Sequence, residues 1–470
     1  MTKGTSIMPS LLMRPFQNAT WFFWATCIVF GLTTKVIPLI ASGDASLRQL
    51  ALMMVAVCFF PTLMVLIGLI PIRRTMYYTT NKTYEKYIWG LLFYLQTSNF
   101  VGTISNIQGT LKGNVFRILF SYPSSVYFFS CLVFIILIMP CRFLYMKITK
   151  AQWSEKKSQS VNRVFMSILF AVAIVGLYET LHPGFVPDTH IVIKGNTKSK
   201  SFKKLDVIQL SDIHLGPMMS VDNLKFISSQ VSKIYKPSTF LFMTGDFYTM
   251  ESHHEKTALS KGLHPLPDVT NFGYACMGNH DHEVGIDRVK SELTKVKVDL
   301  LVEDVREVDV DGSTVQVIGM DYYFISSKSR VESFFSTNKE RITRVKPLVR
   351  LVMLHNPSHF QYIPDLGDNV PMYVMSGHFH GGQFSFRDFI PSWYLSPISA
   401  VLRAPDFGHH CIDKNQAVHR IKDLNNISEE CDTRALRLLY AHTGTGFYGV
   451  PIRLGTRNEQ PSITTLTIHD

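Results

Sequence analysis

The chain has 470 residues, enough for two folded units at roughly 100–200 residues per domain. Its 46% hydrophobic and 18% charged content excludes a disordered or collagen-like chain. The net charge of +11 invites a nucleic-acid reading, but residues 1–182 hold 16 Lys and Arg against four acids, a net of +12, leaving −1 for residues 183–470. Positive charge confined to the more apolar part suits loops flanking membrane helices and not a face for DNA.

Five apolar stretches before residue 183 are long enough to cross a bilayer, which takes about 20 residues per helix: 20–41, 50–71, 88–105, 124–145 and 163–181. The third carries Gln96, Ser98 and Asn99 in its middle, so an interfacial or re-entrant path is its alternative. Pro61 and Pro140 are tolerable where neighbouring helices satisfy the freed carbonyls, and Lys35 can snorkel to the headgroups. With the N-terminus in the cytoplasm, the inner loops carry twelve basic residues, from Lys3 to Arg163, and the outer loops carry Arg48, Lys112 and Arg117. That bias places residues 183–470 outside the cytosol. The tripeptide Asn426-Ile427-Ser428 would suit that side as a glycosylation acceptor. The partner implied is the lipid bilayer, and no nucleic acid.

A linker is expected over 183–204 and a second domain over 205–470. Of the seven cysteines, Cys27, Cys58, Cys131 and Cys141 lie in or beside the apolar stretches and read as small packing residues. Outside the cytosol Cys411 and Cys431 could form a bridge, leaving Cys276 free on a buried strand.

In the second domain short apolar runs end repeatedly in Asp, His or Asn. Leu205 to Leu210 leads to Ser211-Asp212-Ile213-His214. Phe240 to Met243 leads to Thr244-Gly245-Asp246. Asn271 to Met277 leads to Gly278-Asn279-His280-Asp281. Arg350 to Leu354 leads to His355-Asn356-Pro357, and Met372 to Met375 leads to Ser376-Gly377-His378-Phe379-His380-Gly381-Gly382-Gln383. Layered α/β sheets build their sites at the carboxyl ends of strands, so these clusters are expected to meet at one edge. Carboxylate, imidazole and amide donors without thiolates suit Mn²⁺, Fe or Zn²⁺. A Gly before such a ligand lets the chain turn sharply. A carboxylate bridging two ions about 3.5–4 Å apart lets them activate a shared hydroxide and clamp phosphoryl oxygens, and a nearby His can protonate the leaving alkoxide. A lone Asp or Asn at a strand end is ordinarily a turn former; five such blocks in order outweigh that reading.

The ordered blocks Asp-x-His, Gly-Asp, Gly-Asn-His-Asp, His and Gly-His-x-His resemble those of the calcineurin-like metallophosphoesterases. The segment Gly444 to Leu454 is similar to the ending of the membrane-bound members of that family. The resemblance spans about 205–467, and it implies a four-layer α/β/β/α sandwich following a multi-pass α-helical membrane region. It further implies one divalent cation held by Asp212, His214, Asp246 and His380, and a second held by Asp246, Asn279, His355 and His378, with Asp246 shared. His280 is then the general acid and Asp281 its orienter, while Gly381 and Gly382 permit close backbone approach. Phe379 departs from the Thr usual in this subgroup, so altered packing is expected there, with the side chain turned away from the metals.

His253-His254 and His409-His410 read as solvated loop residues, and His442 as a residue that could line the site. The implied activity is metal-dependent hydrolysis of phosphate esters, on a substrate that the anchor would place beside the bilayer: a phospholipid, a glycolipid or another membrane-linked phosphate ester. The alternative from another class is a membrane-anchored binding or scaffold protein with an inactive phosphoesterase shell.

Overall fold

The computed structural model describes residues 205–382 with breaks at 217–218, 250–255 and 324–326, segments between 404 and 446, the strands Val186–Val192 and Thr464–His469, and positions 144, 148, 171 and 174. The chain forms two compact units, residues 1–92 with 127–166, and residues 93–126 with 167–470. The five apolar stretches lie outside the described residues apart from positions 144, 171 and 174. Among the described residues no helix is long and apolar enough to cross a membrane. Both sheets of the fold belong to the second unit.

Among the described residues the first sheet has six strands. β1 is Val186–Val192, β2 Leu205–Leu210, β3 Phe240–Thr244, β4 Gly273–Cys276, β5 Asp299–Leu300 and β13 Thr464–His469, and they lie in the order β1-β13-β2-β3-β4-β5. β2 to β5 run parallel, with Val207 opposite Phe240 and Leu241 opposite Gly273, whereas β13 pairs antiparallel with β2 and parallel with β1. The stretch expected as a linker thus contributes an edge strand, β1.

Among the described residues the second sheet has seven strands. β6 is Asp304–Val310, β7 Ser313–Gly319, β8 Val349–Met353, β9 Met372–Ser376, β10 Gly408–Ile412, β11 Val418–Arg420 and β12 Arg437–Ala441, in the order β11-β10-β12-β9-β8-β7-β6. β7, β8, β9 and β12 are parallel. β6 and β7 form a hairpin around Asp311 and Gly312, both at positive φ, 52° and 78°, the Asp-Gly pair that a primed two-residue turn requires.

Alternation along the strands builds three cores. Leu205, Val207, Phe240, Phe242 and Tyr274 meet Val315, Val317, Leu351, Met353, Tyr373 and Met375 between the sheets. The opposite faces, Ile208, Leu210, Leu241 and Met243, pack with helices α1 (Val221–Ile234), α2 (Ala258–Leu263), α3 (Asn279–Val284) and α4 (Ile286–Thr294). On the far side Ile318, Val352 and Val374 pack under α5 (Ser327–Thr337) through Val331, Phe334 and Phe335. The order is therefore helix, sheet, sheet, helix, with both sheets mixed. α1 shows why its segment is helical. Ser220 caps it by accepting from Asn223 N at 3.2 Å, Asp222 and Lys233 suit the dipole at either end, and Leu224, Ile227, Ser228 and Val231 fall on the buried face. Each large apolar side chain so buried contributes about 1.5–3 kcal/mol.

Two buried tethers strengthen the second sheet. Arg350, fully buried on β8, donates to Gln316 Oε1 at 2.9 Å, to Ile342 O at 3.2 Å and to the Asp368 carboxylate. Cys411 on β10 is disulfide-bonded to Cys431, and Cys276 is free and buried. His409 and His410, expected in a solvated loop, instead lie on β10, where His410 is buried and the half-buried His409 has its Nδ1 3.2 Å from the Tyr373 hydroxyl and packs on Tyr440. Burial pushes both imidazoles down to about 3. His253-His254 lies outside the described residues.

Candidate metal centre

Because the central strands of each sheet are parallel, their carboxyl ends share an edge, and the two edges meet. Gln209 Nε2 donates to Ser376 O at 3.0 Å, and His378 N to Asp212 Oδ1 at 2.9 Å. β2 delivers Asp212 and His214. β3 delivers Asp246. β4 leads into α3 with Asn279, His280 and Asp281. β8 delivers His355, and β9 delivers His378 and His380.

Local backbone geometry is unusual here. Asp212, His214, Asp246, His378 and His380 have φ of 53°, 52°, 54°, 77° and 52°, a left-handed conformation that costs a residue with a side chain about 1–3 kcal/mol. The expected glycine turn holds at Gly245, with φ of 84°. At Gly377 the requirement is instead close approach: a Cβ there would sit 2.1 Å from Asp212 Oδ2. The sharp turns are made largely by the polar residues themselves, and the neighbouring interactions hold them.

The side chains converge in three groups whose donor atoms lie within 4.8 Å of one another: Asp212, His214 and His380; His214, Asp246 and His280; Asp246, His355 and His378. His214 Nε2 is 3.0 Å from His380 Nε2, and His380 Nε2 is 3.4 Å from Asp212 Oδ1. Asp246 Oδ2 lies 3.6 Å from His214 Nε2 and 3.2 Å from His355 Nε2, so one oxygen faces both sides. Asn279 Oδ1 joins the last group 3.0 Å from His378 Nδ1. All seven expected ligand positions are thereby brought together, including His355, whose sequence context is the loosest.

Supporting hydrogen bonds fix these rings and carboxylates. His355 Nδ1 lies 2.6 Å from Thr244 O, which places the proton on Nδ1 and turns Nε2 toward Asp246. Ser211 Oγ donates to Asp212 Oδ2 at 2.5 Å. The terminal segment closes on the same turn: Thr445 N donates to Ser211 O at 2.6 Å and Gly446 N to Asp212 O at 2.9 Å. His442 reaches this edge through its backbone, donating to Ser376 O at 2.8 Å, while its Nδ1 accepts from Gly444 N; its buried ring folds the terminal segment and belongs to none of the three groups.

Asp281, expected to orient His280, adds to the charges that favour the protonated His280 ring and also holds the backbone around it. The fully buried Asp281 carboxylate accepts the backbone amides of Asp246 and Phe247 at 2.7 Å each and of Gly278 at 2.9 Å, and so fixes the turn that carries Asp246. The His280 ring has a different neighbour, Glu283 Oε1, 3.3 Å from Nδ1. Sequence reasoning misses Glu283, although its place one helical turn after His280 is the available signal. It misses Tyr322 as well. The loop after β7 brings the Tyr322 ring to 5.8 Å from His355 and 5.6 Å from His378. The apolar run ending in Gly319-Met320-Asp321 has the same form as the five ligand-bearing blocks. The Phe379 ring lies 4.8 Å from that of His378.

The electrostatics call for positive charge. Burial raises Asp246, but His355, His280 and His214 outweigh it and hold that carboxyl well below its ordinary range. Burial opposes charge on His355, yet the Asp246 and Asp212 carboxylates lift it to about 9. Burial pushes Asp212 up to about 6 and lowers His214 and His378 to about 3 each, leaving neutral imidazoles, the form that binds metal. Oxygen and imidazole donors with lone pairs aimed at common points, in a pocket that favours cationic charge, fit divalent metal ions.

Residues 205–382 match the family model described as calcineurin-like phosphoesterase. Among curated relatives, the uncharacterized metallophosphoesterase YkoQ of Bacillus subtilis (strain 168) is 27% identical over 267 residues, covering 55% of this chain and 82% of that one. The transmembrane protein with metallophosphoesterase domain of Danio rerio is 24% identical over 316 residues, 63% of this chain and 60% of that one. UDP-2,3-diacylglucosamine pyrophosphatase LpxG of Chlamydia muridarum (strain MoPn / Nigg) is 25% identical over 243 residues, 44% of this chain and 72% of that one. Among solved structures the 5'-nucleotidase precursor of Thermus thermophilus aligns at a TM-score of 0.28 and 15% identity. That match covers 38% of this chain and 42% of that one, a likeness too slight to bear on function.

Proposed function

Residues 205–382 are a calcineurin-like phosphoesterase domain and the chain is a phosphoric ester hydrolase; from that premise we propose that it is an integral membrane enzyme with a two-metal centre that cleaves a membrane-linked phosphate ester. The observation that carries the two-metal reading is the position of Asp246 Oδ2 between His214 and His355. One cation would be held by Asp212, His214, Asp246 and His380, and a second by Asp246, Asn279, His355 and His378. When bound, such ions activate water as a nucleophile and neutralise phosphoryl oxygens.

The chain's own residues do the rest. His280 is anchored by its backbone amide to Asp246 Oδ1 at 2.9 Å, so its ring sits beside the shared carboxylate. Glu283 beside Nδ1 favours the protonated ring, and despite burial the imidazole is raised above its ordinary range by Asp246 and Glu283. His280 can therefore hold a proton for the departing alkoxide. Asp281 keeps the Asp246 turn from relaxing. The terminal Thr445 and Gly446 hold the Asp212 turn from the other side. The inactive-shell alternative has no observation in its favour.

Membrane anchoring is supported by the five apolar stretches and their basic flanks, and by the name of the Danio rerio relative. The Cys411–Cys431 bridge supports a catalytic domain outside the cytosol, where disulfides persist. A lipid-linked substrate is supported by the anchor and by the chemistry named for the Chlamydia muridarum relative. The test is hydrolysis by detergent-purified protein supplied with Mn²⁺, Fe²⁺ or Zn²⁺, on phosphate esters in lipid vesicles and on soluble nucleotides. Metal-dependent release from vesicles is expected. Activity on soluble nucleotides alone removes the lipid assignment, and none on any phosphate ester removes the enzyme reading.

A further inference from the structure

The two sets of ligands are built differently. Asp212, His214, Asp246, His355 and His380 are each at most 5% exposed, whereas Asn279 and His378 are half-buried. Both half-buried ligands belong to the same set. In the other set the His214 and His380 rings stack on each other, with centroids 4.9 Å apart and planes 22° apart. His378 has the largest φ of the left-handed ligands, 77°, and its imidazole would be mobile if it faced only water.

It does not face only water. The Tyr322 ring packs against both His355 and His378, at 5.8 Å and 5.6 Å, and its hydroxyl is hydrogen-bonded with the Asn356 side chain next to His355. Tyr322 is itself held in place, since its backbone amide donates to Asp321 Oδ1 at 2.7 Å and His282 Nε2 meets the same oxygen at 2.9 Å. His282 lies on α3, the helix that begins with Asn279. A closed circuit of contacts therefore runs from Asn279 along α3 to His282, across to Asp321 and Tyr322, and back to His378 and Asn279.

We propose that Tyr322, anchored by Asp321 and His282, is the positioning residue for the Asn279, His355 and His378 ligand set, and thereby decides whether the second of two cations is retained. This rests on the two-metal reading above. It predicts two unequal affinities, the weaker one dependent on an aromatic ring at position 322. Supporting contacts of this kind typically change metal affinity about 10–100-fold.

The experiment is a Mn²⁺ titration of the metal-free, full-length protein in detergent, followed by electron paramagnetic resonance. Two Mn²⁺ ions sharing a carboxylate give a spin-coupled spectrum, and a single ion gives an isolated six-line signal. In Tyr322→Leu the first equivalent is expected to bind as in the unaltered protein and the second about 10–100-fold more weakly, so that the six-line signal persists. Tyr322→Phe keeps the ring and should restore coupling. Should Tyr322→Leu not fold, Asp321→Ala releases the ring's anchor and is expected to weaken the same second equivalent. Normal coupling at normal affinity in either Tyr322→Leu or Asp321→Ala overturns the inference and leaves the two-metal reading standing, as does equal weakening of both equivalents. An unaltered protein that takes up no more than one Mn²⁺ overturns the two-metal reading itself.

Discussion

Asp281 accepts the backbone amide of Asp246 at 2.7 Å, through a carboxylate fully shut off from solvent. The same carboxylate satisfies Phe247 N and Gly278 N, so Asp281→Ala leaves three buried donors without an acceptor, at about 1–3 kcal/mol each. The expected outcome is a fall in stability of several kcal/mol, read by chemical denaturation, together with loss of bound metal measured on the folded protein.

Asp246→Asn removes the one charge that both ligand sets share while keeping shape. Turnover should fall about a thousandfold or more, corresponding to several kcal/mol of lost charge stabilisation, with circular dichroism close to that of the unaltered protein. Metal-dependent hydrolysis at the original rate would contradict the assignment.

His280→Gln should lower kcat by about 10²–10⁴, and the loss should shrink for esters whose leaving group is acidic enough to depart unprotonated. Rates on alkyl and nitrophenyl esters compare the two cases. Glu283→Gln should give a smaller loss of the same kind, since it acts through the His280 ring.

His359 is buried against Tyr322, Tyr323 and Tyr362, and burial, aided by the charge on His355, lowers it to about 4. Its ordinary value is about 6.5, so between these limits the unfolded chain binds the proton that the folded one refuses. This contribution to stability is full above about pH 6.5 and is lost as pH falls toward 4, by about 1–3 kcal/mol. Melting curves from pH 7.5 to 4.5 should show the unaltered protein losing more than His359→Gln does.

Breaking the Cys411–Cys431 bridge, which closes a separation of 20 residues, should cost about 3 kcal/mol by the loop-entropy account. A Cys411→Ser, Cys431→Ser double variant read by thermal melting checks this. The effect on catalysis should be small, because β10 lies outside the three ligand groups.

The strands that carry ligands are legible because each is a short apolar run ended by polar residues, a local signal. β2, β3, β4, β8 and β9 appear within a residue or two of their expected bounds. β13 is not legible, since its antiparallel pairing with β2 joins positions more than 250 residues apart and leaves no local mark. β6 does alternate between buried and exposed positions, but it carries no ligand, so a search guided by chemistry passes over it and with it the β7 loop bearing Tyr322. His409 and His410 are misjudged for a related reason. A His pair looks polar in isolation, and only the neighbours Tyr373 and Tyr440, brought in by other strands, show that the rings are sheltered. Asp281 illustrates the converse: its membership of the site is legible, but its partners are amides, which no side-chain pattern reveals.

Because Asp212, His214, Asp246 and Asn279 come from one sheet and His355, His378 and His380 from the other, neither half of the sandwich owns a complete coordination sphere. Ions bound at that edge would therefore tie the two halves together, in addition to the core that the sheets already share. Chelators should accordingly loosen the whole domain and not merely silence it, which melting curves with and without chelator would show.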